Sequence, residues 1–251
     1  MAAGNPARLL VLDGGGVTSY RFQDNHWQLE QALPILHSRP WPRDLRGRLI
    51  LANSKDLVFE AYLPGVHCRS SANGPSAMTC YDSDDPWPVG SDLSILNASF
   101  TSTRNFFSGA LSPAVGKQTT APAFYSAAAV PRAPGTSWLL AAVDGQVHLL
   151  DGITDQVVEK PGWGSDIASV HSGCGSGWQV LATGTGDGRN DTVRAFEMAG
   201  PEPIAVSAPL DVSGTITALW TESGGASAVA VTHNTETERY EAFRLILACG
   251  R

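Results

Sequence analysis

The feature that most constrains this chain is an internal repeat. Residues 166–198 and 215–247 follow one plan: a short strand, a Gly/Ser turn, an apolar strand, a polar turn and an alternating strand. Ile167 aligns with Ile216 at an offset of 49 residues. Each copy of such a repeat is one structural unit that buries its apolar surface against its neighbours. The repeat therefore predicts a series of similar β-rich units rather than one irregular core.

The same plan recurs towards the N-terminus. The apolar second strands begin at intervals of 40, 90, 41 and 49 residues, at Leu9, Leu49, Leu139, Val180 and Val229. The interval of 90 residues has room for two units, so a sixth, degraded unit is expected at residues 92–112. Six units of about 42 residues have the length of propeller blades. We predict one all-β domain over residues 1–251, a β-propeller of six blades, with five or seven as the alternatives.

The two ends of the chain are expected to share a blade. The chain starts with a segment that resembles a second strand, at Leu9, and ends after a segment that resembles a third strand, at Leu247. The N- and C-terminal strands would then close the propeller.

A run of three glycines follows Asp13 near the N-terminus. This opening resembles that of patatin-type lipid hydrolases, which also require a Gly-x-Ser-x-Gly elbow, and the sequence has no such elbow. Within the repeat, Asp13 to Gly15 take the place of Asp144 and Gly145. Asp-Gly between two apolar runs is a strong hairpin signal. The glycines are therefore predicted to form a hairpin turn.

Single repeats resemble two known propeller families. Residues 141–158, AAVDGQVHLLDGITDQVV, resemble pyrroloquinoline-quinone-type propeller repeats, and residues 183–193, TGTGDGRNDTV, resemble the FG-GAP repeats of integrin-type propellers. The FG-GAP resemblance implies a calcium loop with Asp187 and Asp191 as ligands. Two of its four carboxylate positions hold threonine, and calcium prefers six to eight oxygen ligands. The expectation is at most a weak calcium site, the alternative is a plain β-turn, and no other cofactor is indicated.

Charge and hydropathy exclude several classes of partner. The formal net charge is −7 and no cluster of Lys and Arg occurs, so a nucleic-acid partner is not expected. No apolar run approaches the length of about 20 residues that spans a bilayer, and the first ten residues lack the pattern of a signal peptide. The sequence predicts a monomer with no membrane span.

The chain has four cysteines. Cys68 and Cys80 flank a Ser/Gly/Pro segment that has little to bury, and a disulfide between them would restrain it. The alternative is a pair of reduced thiols in a cytoplasmic protein. We predict the disulfide and, with it, an extracytoplasmic protein, periplasmic or secreted. The pairing of Cys174 with Cys249 is left open.

Five residues are candidates for ligand binding. They are varied in type and lie at irregular positions of the repeats, as in a recognition surface: Arg104, Asn105, Tyr125, Asp166 and His171. No segment assembles a nucleophile, a base or a metal set. The sequence therefore favours a binding module for a protein or carbohydrate ligand, without turnover. The alternative is a propeller-type enzyme, a lyase or glycoside hydrolase, whose catalytic residues come from different blades.

Overall fold

The fold is described by a computed structural model. It describes residues 8–24, 26–36, 47–53, 58–70, 78–83, 87–91, 94–101, 106–108, 110–111, 119–132, 135–151, 154–158, 162–186, 190–222, 224–234 and 236–249. These residues form 24 β-strands. The chain divides into two compact units, Met1–Pro88 with Ser99–Phe106, and Val89–Ala98 with Phe107–Arg251.

The first unit contains two antiparallel sheets. The first sheet has three strands, β1 (Arg8–Asp13), β2 (Gly16–Gln23) and β3 (His26–Pro34). The second sheet has four strands, β4 (Arg48–Asn53), β5 (Val58–Leu63), β6 (Val66–Ser70) and β7 (Met78–Asp82). One apolar cluster joins the two sheets, and it includes Val17 and Leu33 from the first and Phe59 and Leu63 from the second.

Five strands follow. They are β8 (Trp87–Ser91), β9 (Ser94–Thr101), β10 (Phe106–Ser108), β11 (Ala110–Leu111) and β12 (Thr119–Thr120). The two sheets of the first unit are called the first and second blades, and the next four strands form the third blade: β13 (Phe124–Arg132), β14 (Gly135–Ala142), β15 (Val147–Asp151) and β16 (Thr154–Val158). Strands β10, β9 and β8 extend the free edge of β13, which gives a seven-stranded sheet.

The last two sheets repeat the plan of the third blade. The fourth blade contains β17 (Trp163–His171), β18 (Trp178–Thr185) and β19 (Asp191–Ala199), with an outer strand in two pieces, β20 (Glu202–Ala205) and β21 (Leu210–Val212). The fifth contains β22 (Thr215–Thr221), β23 (Ala228–Asn234) and β24 (Arg239–Leu245). Ile167 and Ile216 lie in the corresponding strands β17 and β22, as the repeat predicted.

Consecutive meander sheets that pack face to face are the blades of a β-propeller, so the predicted all-β propeller class is confirmed. The predicted number of six blades is wrong: the described strands form five, which was one of the two alternatives. Residues 92–112 were expected to form a blade of their own. Strands from this segment instead add to the edge of β13, through a pairing of Phe107 with Phe124. Closure by the termini stays a prediction, since among the described strands β1 and β24 belong to separate sheets.

Both faces of β14 are buried. Leu139 and Leu140 are adjacent in β14 and each is 0% exposed, although successive side chains of a strand point to opposite faces. One face packs on the fourth blade in a cluster that includes Leu139, Val180 and Phe196. A second cluster, which includes Val170, joins the fourth blade to the fifth.

The Asp-Gly turns form as predicted. The β1–β2 hairpin closes with Asp13 paired with Gly16, and Asp13 Oδ1 accepts hydrogen bonds from the backbone N–H of Gly15 at 2.7 Å and of Gly16 at 3.0 Å. The β14–β15 turn uses Asp144 in the same way, and Gly145 has a φ of +81°, which favours glycine. The glycines at the N-terminus therefore have a backbone role.

Both pairs of cysteines form disulfides. Cys68 and Cys80 lie directly opposite each other in the β6–β7 hairpin, as predicted, with a Cα–Cα distance of 4.0 Å. Cys174, in the β17–β18 loop, pairs with Cys249 beyond the end of β24. No helix long and apolar enough to cross a membrane occurs among the described residues.

Candidate functional site

A cleft of about 220 Å³ lies where β13 and β17 begin, beside the β14–β15 turn. Three segments form its walls, and all three belong to the second unit. The residues that line it include Tyr125 from β13, Ala142 and Gln146 from the β14–β15 hairpin, and Trp163 and Ser165 from β17. The lining therefore combines aromatic rings, an amide and a hydroxyl.

Both strands that supply the cleft are irregular where they line it. In β13 the register shifts between Phe124 and Ser126, so Tyr125 is an extra residue. In β17 the register shifts between Trp163 and Ile167, so residues 164–166 lie opposite a single residue of β18. Bulges of this kind change the direction of a side chain and occur often next to active sites. Tyr125 and Ser165 thus reach the cleft from outside the regular ladder, whereas Trp163 is paired with Gly184.

A third bulge lies at the matching end of the fifth blade. The register of β22 shifts between Ile216 and Ala218, which makes Thr217 the extra residue. Irregularity near the beginning of the first strand is therefore shared by the third, fourth and fifth blades. It marks one end of these blades as the place where side chains leave the ladder.

Side-chain hydroxyls hold the bulge of β17 in place. Ser126 Oγ donates to the carbonyl of Ser165 at 2.6 Å and accepts from the backbone N–H of Ile167 at 3.1 Å, so the third blade is tied to the fourth. Thr183 Oγ1 donates to the carbonyl of Asp166 at 3.1 Å. A Cβ at Gly164 would come within 2.7 Å of Thr183 Oγ1, so this close approach requires glycine.

Trp163 joins the cleft to the core. Its side chain lines the cleft, yet the residue is only 8% exposed, and its ring lies 4.9 Å from the ring of Phe196 between centroids. The indole Nε1 is buried and has no hydrogen-bond partner among the described residues. Buried tryptophan N–H groups usually have a partner. Beneath the cleft, the indole therefore has a buried hydrogen-bond donor that the described protein atoms do not satisfy.

His148 is held between two carboxylates beside the turn that lines the cleft. Its Nδ1 lies 2.8 Å from Asp155 Oδ1, and its Nε2 lies 3.1 Å from Asp144 Oδ2. Burial of the imidazole opposes its charge, but the hydrogen bonds to Asp155 and Asp144 outweigh burial and raise the pKa of His148 above its usual value. Because ionised carboxylates only accept hydrogen bonds, this arrangement favours the imidazolium form.

We expect the free energy of unfolding to fall as the pH rises from about 6.5 through the raised pKa of folded His148. The folded state binds this proton more tightly than the unfolded state, so the stabilisation is complete at lower pH and is lost above the folded pKa. The side chains of Asp144 and Asp155 are 51% and 39% exposed, and solvent screening limits the effect to about 1 kcal/mol or less.

Urea unfolding of the wild type and of His148→Gln across this pH range checks the prediction. Glutamine can still form hydrogen bonds but does not titrate. The difference in unfolding free energy between the two proteins should therefore shrink as the pH rises. A difference that stays constant over the whole range would contradict the assignment.

Three of the five residues predicted to bind ligand lie in the described part of the chain. Tyr125 lines the cleft, and Asp166 belongs to the bulge of β17, where its carboxylate accepts a hydrogen bond from Ser165 Oγ at 2.8 Å. His171 is exposed at the opposite end of β17, about 17 Å along the strand, and its ring meets that of Trp178 edge-on. The structure therefore brings Tyr125 close to the Asp166 bulge but does not bring His171 to them. The other two predicted residues, Arg104 and Asn105, lie outside the described residues.

Of the two predicted calcium ligands, the structure describes Asp191 but not Asp187. Asp187 lies outside the described residues, so a calcium site there stays a prediction. Asp191 Oδ2 accepts a hydrogen bond from the backbone N–H of Ile216 at 2.8 Å. The backbone N–H of Asp191 donates to the carbonyl of Gly214. Asp191 thereby ties the fourth blade to the fifth. In the part of the chain that the structure describes, no three His, Cys, Asp or Glu side chains are grouped to hold a metal ion.

Sequence reasoning missed most of the lining of the cleft. Gln146, Trp163 and Ser165 were not candidates. The one available signal is the segment Trp163 to Ser165, where Gly and Ser interrupt an otherwise regular strand pattern. Gly inside a strand indicates a bulge or a close backbone approach, and β17 has both.

Comparison with known proteins leaves the family open. No protein-family model and no curated protein matches the sequence. Among solved structures, the crystal structure of BBS1N in complex with ARL6DN, soaked with mercury, has a TM-score of 0.47 at 10% identity and covers 96% of this chain and 88% of that chain. The WD40 domain of SCAP from fission yeast has a TM-score of 0.36 at 10% identity, with coverages of 97% and 77%. Both TM-scores are below 0.5, so neither structure bears on the function of this chain.

Proposed function

We propose that this chain is a non-catalytic recognition module that binds a protein or glycan ligand in the cleft at the start of β13 and β17. The observation that carries the proposal is the pair of bulges that line one cleft, at Tyr125 and at residues 164–166. Hydrogen bonds from Ser126 fix the two bulges relative to each other. A preformed cleft with a few polar groups is the usual form of a small-ligand site.

The two disulfides support a location outside the cytoplasm. All four cysteines are paired, Cys68 with Cys80 and Cys174 with Cys249. Disulfides persist in oxidising compartments and are rare in the cytosol. We therefore infer that the module acts in the periplasm or in the extracellular space, and its monomeric state stays a prediction from the sequence.

Screening the oxidised protein against a printed glycan array and an immobilised peptide library tests the proposal. The best ligand should bind the wild type and lose at least 10-fold in affinity with Tyr125→Ala, because that residue lines the cleft. Gln156→Ala is the matched control, since Gln156 is exposed on β16 and does not line the cleft. It should bind as the wild type does. Equal binding by Tyr125→Ala and the wild type would refute the cleft as the site.

The same ligands distinguish recognition from catalysis. Each bound ligand is incubated with the protein and its mass is measured afterwards. We expect the ligand to be recovered intact. Cleavage that is lost in Tyr125→Ala while the fold persists would establish the alternative, a propeller-type lyase or glycoside hydrolase. His171→Ala in the same panel tests whether the opposite end of β17 also contributes to binding.

A further inference from the structure

The β14–β15 turn, residues 143–146, contacts both the cleft and His148. Gly145 and Gln146 of this turn line the cleft. Asp144 lies in the same turn, and its two carboxylate oxygens have different partners. Oδ1 accepts a hydrogen bond from the backbone N–H of Gln146 at 2.8 Å, and Oδ2 lies 3.1 Å from His148 Nε2. The carboxylate of Asp144 therefore connects the backbone that lines the cleft to the imidazole.

The imidazole of His148 is held in place by its surroundings. Its side chain is 11% exposed, and the neighbouring strands β14 and β16 place Leu140 and Val157 opposite it. Its Nδ1 lies 2.8 Å from Asp155 Oδ1. Among the residues that the structure describes, Asp155 and Asp144 are the charged groups that act on this imidazole. The charge of His148 therefore acts on one carboxylate in β16 and on one in the turn.

Loss of the proton from His148 removes one of these two hydrogen bonds. The imidazolium donates from both ring nitrogens, whereas the neutral ring donates from one and can only accept at the other. An ionised carboxylate also only accepts, so the unprotonated nitrogen repels it. The contact with Asp144 is the longer of the two, and the Asp144 side chain is 51% exposed against 39% for Asp155. Water therefore replaces the imidazole more readily at Asp144.

We propose that His148 is a pH-sensitive clamp on the wall of the cleft: the charged ring holds Asp144 and the β14–β15 turn, and the neutral ring releases them. A ligand that contacts Gly145 or Gln146 would then bind more weakly at alkaline pH. This inference names a regulation of the same cleft, and it rests on the proposed function for its effect on binding.

The direction of the pH dependence follows from the partners of the ring. Burial of the imidazole opposes its charge, but the hydrogen bonds to Asp155 and Asp144 outweigh burial and raise the pKa of His148. The clamp is therefore closed at pH values below about 6.5, the ordinary pKa of histidine. It opens as the pH rises through the raised pKa of the folded protein.

Nuclear magnetic resonance of the isotope-labelled full chain tests the inference. The pH is raised from about 5.5, where carboxylates are already ionised, to about 8.5. The protection of the Gln146 N–H against exchange with water, corrected for the intrinsic effect of pH, should fall at least about 3-fold. The midpoint of this fall should coincide with the midpoint for the His148 ring. Constant protection of Gln146 while the ring titrates would overturn the inference.

The β1–β2 turn is the matched control within the same molecule. Asp13 Oδ1 accepts the backbone N–H groups of Gly15 and Gly16, as Asp144 Oδ1 accepts that of Gln146, but the structure gives this carboxylate no histidine partner among the described residues. The corrected protection of Gly15 and Gly16 should therefore stay constant over the same pH range. A parallel fall in both turns would be a general effect of pH and would overturn the inference.

Three variants separate the clamp from a general effect of charge. Asp144→Asn keeps the shape and an acceptor for the Gln146 N–H but removes the charge that His148 holds, so Gln146 should stop responding while the ring still titrates. Asp155→Asn leaves Asp144 in place, so the response should persist with a lower midpoint. His148→Gln does not titrate and should abolish the response, which keeps the test informative if either Asp variant fails to fold. A response that persists in Asp144→Asn or His148→Gln would overturn the inference.

The clamp and the recognition site fail in different ways. A turn that responds to pH in a protein whose ligand affinity is unchanged by Tyr125→Ala would support the clamp and refute the cleft as the site. A turn that does not respond, in a protein whose ligand affinity falls with Tyr125→Ala, would overturn the clamp and leave the recognition site in place.

Discussion

Replacing both Cys174 and Cys249 with serine is expected to lower the free energy of unfolding by about 4 kcal/mol. The two cysteines are 75 residues apart in sequence, and their disulfide ties the β17–β18 loop to the segment after β24. A crosslink restricts the unfolded chain more strongly as the loop that it closes becomes longer. It also holds the fourth blade to the end of the fifth.

The other disulfide is the internal control for this prediction. Cys68 and Cys80 are 12 residues apart and cross-link a single hairpin. Their replacement by serine should destabilise the protein less, by about 3 kcal/mol on the same chain-entropy argument. Guanidinium unfolding of the two double variants under matched conditions gives both values. The predicted order of the two stability losses would be refuted if the Cys68/Cys80 variant were the less stable of the two.

Phe196→Ala is expected to destabilise the protein by about 3–5 kcal/mol. Phe196 is 2% exposed in the cluster that joins the third blade to the fourth, and its ring packs on Trp163. Removing the ring leaves a cavity beneath the wall of the cleft. Binding of any cleft ligand should therefore weaken together with stability.

Two further variants test whether the loss of stability in Phe196→Ala comes from the burial of its ring. Ile204 lies on β20, the next strand of the same sheet, and is 54% exposed, so Ile204→Ala should change the unfolding free energy by no more than about 0.5 kcal/mol. Phe196→Leu keeps most of the volume and should fall between Ala and the wild type. Thermal and guanidinium unfolding of the three variants and of the wild type gives the four free energies of unfolding. Similar losses for Phe196→Ala and Ile204→Ala would contradict the burial argument.

Local chemistry explains which features could be predicted from the sequence. The hairpin turns at Asp13 and Asp144 were predictable because an Asp side chain can accept backbone N–H groups within its own turn, and glycine tolerates the backbone angles that follow. The Cys68–Cys80 disulfide was predictable because the two cysteines flank a short Ser/Gly/Pro segment that has little to bury. Such features depend on a few neighbouring residues only.

The number of blades depended on pairing between distant segments. The interval of 90 residues between Leu49 and Leu139 was interpreted as two repeats. In the structure, Phe107 pairs with Phe124, so strands from this interval extend the third blade instead of forming one of their own. The choice between a new sheet and an added edge is made by tertiary packing, which strand periodicity does not report.

The candidate site was only partly predictable for the same reason. Tyr125 was a candidate, but Trp163 was not, because the cleft arises from register shifts in β13 and β17 that a regular alternation of residues does not show. Asp191 matched a position of a calcium loop by sequence, whereas in the structure its carboxylate accepts the N–H of Ile216. Its partner is 25 residues away along the chain.

The bulges of β13 and β17 bring Tyr125 and Ser165 to the cleft from outside the regular strand ladder. Each of these residues lies outside the regular ladder, so exchanging its side chain leaves the pairing of the flanking strands in register. Gly164 is the constrained neighbour, because Thr183 leaves no room for a Cβ there. The strand pairing around the cleft is therefore a constant framework, and a library that randomises Tyr125 and Ser165 should change the lining of the cleft with little loss of folding.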